Sequence, residues 1–186
     1  MAFFEFLESL LGGSRSSQNT RDSDSVYKIA ALLEGLPPER SRYLAAFAYL
    51  MARVAVADFV VSPEELKSMV STLETQAGLP AQQAQAVAEL ARTQALREGS
   101  TDDFLVTREL RQIATRDELL QILDCLFAVA AAQHAISVTE DNAIRQIASE
   151  LLLEHHEFIS VRTRYRDQLE VLQMGAPNLR PQEGQA

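Results

Sequence analysis

Three carboxylates, Asp58, Glu64 and Glu65, fall within eight residues around Ser62-Pro63. Grouped acids are what a hard divalent cation such as Ca²⁺, Mg²⁺ or Mn²⁺ requires, and Ca²⁺ takes about six to eight oxygen ligands. Glu140 holds the same place beside Ser137 that Glu65 holds beside Ser62. These residues have a second use. Ser62-x-x-Glu65 and Ser137-x-x-Glu140 are capping boxes, in which the Glu carboxylate accepts from the Ser backbone N–H and the Ser hydroxyl accepts from the Glu N–H. A divalent-cation site at Asp58, Glu64, Glu65 and Glu140 and a structural use of the two capping acids are therefore alternatives. No other cofactor is expected.

Other chemistry-bearing residues are poorly placed. His155 and His156 are adjacent, so on a helix they point about 100° apart and cannot share an ion. With His134 they lack the Cys/His spacing of a zinc site. Cys125 lies among Ile122, Leu126 and Val129 on an apolar helix stripe, where burial raises a thiol's pKa and makes it inert. There is no Gly-rich phosphate loop and no Gly-x-Ser-x-Gly elbow. No catalytic residue is assigned, and the chain is expected not to be an enzyme. Arg162, Arg164 and Arg166 around Tyr165 form a basic patch that reads as a solvated helix face or a docking site for an acidic partner.

The elements that position these residues are helices. Val26, Ile29, Ala30 and Leu33 mark a first short helix stopped by Gly35 and Pro37. Pro37-Pro38-Glu39-Arg40 opens a second helix, through Tyr43, Phe47, Leu50, Met51, Val54 and Ala57, apolar nearly all round over its second half, the pattern of a central bundle helix. Further helices run from Ser62 to Gly78, Pro80 to Gly99, and Thr101 to about Ala114. Thr115-Arg116-Asp117-Glu118 is a third capping box, opening a second long apolar helix through Ala130. Ser137 starts its partner, and a last helix runs from about Glu154 to Met174. No segment reads as a strand. The expected fold is an all-α bundle of about seven or eight helices, spanning residues 25–174, with a Pro/Gly/Gln-rich disordered tail at 175–186.

Ahead of the body, Phe3, Phe4, Phe6, Leu7, Leu10 and Leu11 form a helical apolar stripe, an amphipathic arm over residues 1–12. Gly12-Gly13-Ser14 opens a flexible linker at 13–24. The stripe has to be covered by the body, by a second copy in a homo-oligomer, or by a protein partner or membrane surface. The net charge of −9 and pI near 4.8 exclude a phosphate-backbone binder, so no nucleic-acid partner is expected. No run is long and apolar enough to span a membrane. The lone cysteine and the lack of a basic n-region before the first apolar stretch point to the cytoplasm.

One unit occurs twice. Val54-Ala55-Val56-Ala57-Asp58-Phe59-Val60-Val61-Ser62-Pro63-Glu64-Glu65 is matched by Val129-Ala130-Ala131-Ala132-Gln133-His134-Ala135-Ile136-Ser137-Val138-Thr139-Glu140. Each is an apolar helix end, a tight junction and a capped helix start, so two related helix–cap–helix hairpins are expected side by side. The pattern Ala-Asp-x-x-apolar-Ser-x-x-Glu after a long apolar helix resembles the tellurite-resistance TerB family, whose fold also occurs at the N-terminus of the co-chaperone DjlA. The family motif is Ala-Asp-Gly-x-Ile-Ser-x-x-Glu. Here Phe59 and His134 replace its glycines and Gln133 replaces the second aspartate. The resemblance implies a non-enzymatic interaction role in tellurite resistance or a stress response, with junction acids as divalent-metal candidates.

Overall fold

A computed structural model describes residues 23–33, 35–58, 62–98, 100–132 and 135–173. The expected arm, nearly all of the linker, the tail and the junction residues Phe59, Val60, Val61, Gln133 and His134 lie outside this set. The chain runs through α1 (Asp24–Ala30), α2 (Pro38–Ala55), α3 (Pro63–Ala77), α4 (Ala81–Glu98), α5 (Ser100–Ile113), α6 (Arg116–Ala130), α7 (Val138–Glu150), α8 (His155–Arg164) and α9 (Glu170–Gln173). A single 3₁₀ turn, Arg166–Gln168, precedes α9. Ser23 caps α1 by accepting from the Val26 N–H at 3.2 Å, so the body starts just inside the segment read as linker. Among the described residues no helix is long and apolar enough to cross a membrane.

The all-round apolar pattern of α2 puts it at the centre. Every side chain from Leu44 to Ala55 is buried, Arg53 included, and α2 packs on α1, α3, α4, α5, α6 and α7. A helix can be this apolar only where neighbours cover all its faces, each large side chain then contributing about 1.5–3 kcal/mol of burial. The second apolar helix, α6, packs on α2, α3, α7 and α8, so the two hairpins α2–α3 and α6–α7 lie against each other.

The hairpins repeat in their hydrogen bonds as well as their residues. α2 closes with Val56 N–H on Ala52 O (2.9 Å) and Ala57 N–H on Val54 O (3.0 Å). α6 closes identically, Ala131 on Phe127 O (2.9 Å) and Ala132 on Val129 O (3.0 Å). Both second helices end with a back-bond around a turn, though not of the same length: Leu79 N–H reaches Leu73 O, six residues back (3.2 Å), and Leu153 N–H reaches Ala148 O, five residues back (2.9 Å). That ending needs a left-handed residue. In the first hairpin it is Gly78 at φ +70, in the second Leu152 at φ +56.

The segment read as one final helix is broken after Arg164. Leu169 is extended (φ −78°, ψ 114°) and forms an isolated parallel bridge with Ile136. Ile136 N–H donates to Gln168 O at 2.6 Å, and Glu170 N–H donates to Ile136 O at 3.0 Å. The buried junction residue Ile136 has no helical partner for its backbone groups, and this clip satisfies them. Periodicity could not show the break, because Leu169 and Leu172 keep helical spacing with Tyr165.

Candidate functional site

Both capping boxes form as the spacing predicts. Glu65 Oε2 accepts from Ser62 N–H (2.7 Å) and Ser62 Oγ–H (2.8 Å), and Ser62 Oγ accepts from Glu65 N–H (3.0 Å). Glu140 Oε2 accepts from Ser137 N–H at 2.8 Å, and Ser137 Oγ accepts from Glu140 N–H at 3.2 Å. The two boxes then do something a single box does not. Both acids are buried, Glu65 to 2% and Glu140 to 4% exposure, and they lie close enough for their side chains to hydrogen-bond. Two carboxylates cannot do so without a proton between them.

The exposed third box is the control. There the Thr115 N–H and hydroxyl, both 2.8 Å from Glu118 Oε2, hold the Glu118 carboxyl below its ordinary value. Equivalent donors from Ser137 act on Glu140, yet its carboxyl is pushed up to about 7. Burial is the main cause, and the hydrogen bond and negative charge of Glu65 add to it. In a low-dielectric site two facing carboxylates resist joint ionisation, so one holds its proton to higher pH than an isolated carboxyl does.

The other acids proposed as ligands stand apart. Asp58 and Glu64 are exposed, and no group of three or more His, Cys, Asp or Glu among the described residues is placed to hold a metal ion. Two carboxylates fall short of the oxygen set Ca²⁺ requires. Of the basic patch, Arg162 faces inward: its Nε and Nη2 donate to Asp141 Oδ1 (2.8 Å) and Oδ2 (2.7 Å). That bidentate pair ties α8 to α7, so Arg162 is structural, whereas Arg166 is exposed. Phe3, Phe4, Phe6, Leu7 and Leu10 lie outside the described residues. Cys125 is buried beside a small cavity of about 80 Å³ shared with Tyr43 and Glu118. Burial pushes its thiol up to about 11, which leaves it a poor nucleophile near neutral pH.

Two features escaped the spacing analysis. Arg53 is buried beneath α5 and α7, donating to Glu150 Oε2 (2.7 Å) and Oε1 (2.9 Å) and pairing with Asp103 Oδ2 at 3.1 Å. Tyr49 O–H donates to Asp103 Oδ1 at 2.9 Å. Burial alone would lower the Arg53 pKa, but Glu150 and Asp103 outweigh it and raise it. Its signal was visible: Arg53 is the one charge between Leu44 and Ala55. The other is Leu152, 64% exposed despite its left-handed backbone. Arg116 Nη1 donates to its carbonyl at 2.9 Å and also pairs with Glu157. Leu152 overlooks a groove of about 500 Å³ between α7 and α8, lined also by Arg145, Ala148, Leu153 and Phe158.

These features define an all-α domain of two cap-linked hairpins, packed face to face and joined through a buried acid pair. The chain belongs to the TerB family: the family model, Tellurite resistance protein TerB, matches residues 44–163. The match begins within α2 and takes in the junctions of both hairpins. No curated protein and no solved structure matches the chain significantly.

Proposed function

We propose that this chain is a non-enzymatic binding module of the cytoplasm, serving tellurite resistance or an allied bacterial stress response, and that it engages a protein partner at the α7–α8 corner. Leu152 is the observation that carries the reading. A left-handed backbone costs leucine about 1 kcal/mol that glycine is spared. Exposure also forgoes the burial worth about 1.5–3 kcal/mol to a leucine. Folding gains nothing from leucine here, while an apolar segment of a partner laid in the adjacent groove would cover it. Leu152→Gly is expected to leave the melting temperature unchanged or slightly raised. The same change should abolish retention of a protein that the wild type holds in extract of the native cell. Equal retention by both proteins would remove this corner from the function.

A second reading is a divalent cation sensor, and one observation favours it: Glu65 and Glu140, from separate junctions, meet. It ranks second because the remaining ligands are lacking among the described residues. Titration with Mn²⁺ should then broaden the amides of residues 62–66 and 137–141 selectively, with Ca²⁺ or Mg²⁺ competing. Amides unaffected by Mn²⁺ would remove the sensor reading.

A further inference from the structure

We infer that the apolar arm, residues 2–11, docks in cis in a groove at the α1–α2 corner. The groove has a volume of about 370 Å³ and is lined by Tyr27, Ala30, Ala31, Leu36, Pro38 and Arg42, among others. Part of its wall faces solvent: Tyr27 is 60% exposed although its helix packs on α2, α4 and α5. It lies wholly before residue 44, outside the span shared with the family.

Three observations select the arm as occupant. The first is reach. The chain preceding the body joins it at Ser23, one turn from Tyr27, at the head of the seven-residue helix that forms one wall. Residues 12–22 are rich in Gly and Ser, and eleven residues span at most about 37 Å extended. The whole of α1 is about 10 Å long, so the tether holds the arm within range. The second is concentration. A short flexible tether sets an effective concentration in the millimolar range, which favours the attached arm over that of a second copy. The third is chemistry. Phe3, Phe6, Leu7 and Leu10 share one side at helical spacing, matching an apolar trough. The arm's charges, Glu5 and Glu8, are acidic, and the charged side chain lining the groove among the described residues, Arg42, is paired with Glu109, so the match is one of apolar surface.

The test is paramagnetic broadening in the full chain. A nitroxide is attached at Ser9→Cys, on the polar side of the arm beside Glu5, with Cys125→Ser to keep the label unique. Amides of residues 27–42 are expected to lose intensity and to regain it on reduction of the label. Adding Ala31→Glu, which puts a charge into the lining of the groove, should abolish the loss while the rest of the spectrum is unchanged. Mixing labelled ¹⁴N chain with unlabelled ¹⁵N chain separates occupants. Broadening that persists in the mixture would assign the groove to a second copy. Broadening absent from residues 27–42, or present elsewhere on the body, would also overturn the inference. Contact made only on adding anionic lipid vesicles would assign the arm to a membrane surface instead.

Discussion

Arg53→Ala is expected to destabilise the fold by about 3–5 kcal/mol, the cost of leaving buried charges without their partner. The guanidinium supplies both oxygens of Glu150 and one of Asp103, and side-chain exposure is 9% for Arg53, 16% for Glu150 and 18% for Asp103. Removing the cation leaves two acids facing each other between α5 and α7. Burial already works against ionisation of Glu150, and the Arg53 contact is what holds its carboxyl below the ordinary value. The damage should therefore ease at low pH, where the acids can take up protons. Chemical denaturation of wild type and variant at neutral and mildly acidic pH checks this. A loss within the range of a surface substitution would show that the pair is solvated.

Glu140→Gln should have a large effect of the opposite sign above neutral pH. The folded-state pKa of Glu140 is raised, so the fold binds this proton more tightly than the unfolded chain does. That stabilising contribution is complete below the unfolded value of 4.5 and drains away as pH rises through about 7. The wild type is expected to lose on the order of 2 kcal/mol between about pH 5 and about pH 7.5, a shift of one unit being worth 1.36 kcal/mol. Glutamine carries a fixed hydrogen where the proton sits: its amide oxygen can accept from Ser137 N–H and its NH₂ can donate to Glu65. The variant should lack this component of the pH dependence and be the more stable protein near pH 8. Urea midpoints across that range read both effects, and parallel curves for the two proteins would contradict them.

The helices were legible because each carried its own punctuation. Ser62, Thr115 and Ser137 cap three of them through local bonds that involve no distant residue, and Gly78 ends one for the same reason. The two-hairpin architecture was legible because the unit repeats. Sequence spacing was silent where a long-range contact decides. Leu169 leaves its helix because Ile136, remote in sequence, needs backbone partners. Arg162 reads as a surface cation until Asp141 is found beside it. For the candidate site, the four acids were visible, but their sorting was not. Glu65 and Glu140 hold equivalent places in the repeat, and only the packing of one hairpin on the other makes them neighbours. Asp58 and Glu64 sit as close to Ser62 along the chain, yet they face solvent. Leu152 was not legible from the repeat, because α7 ends earlier in its hairpin than α3 does and the left-handed residue falls out of register with Gly78.

Carboxyl ¹³C chemical shifts of Glu65 and Glu140 followed across pH test most directly whether the two junctions share a proton. The expected result is a Glu140 titration near about 7 that moves down toward the ordinary carboxylate range in Glu65→Gln. A Glu140 carboxyl that titrates in the ordinary range in the wild type, and is indifferent to Glu65→Gln, would mean that the junctions do not meet through a hydrogen-bonded acid pair.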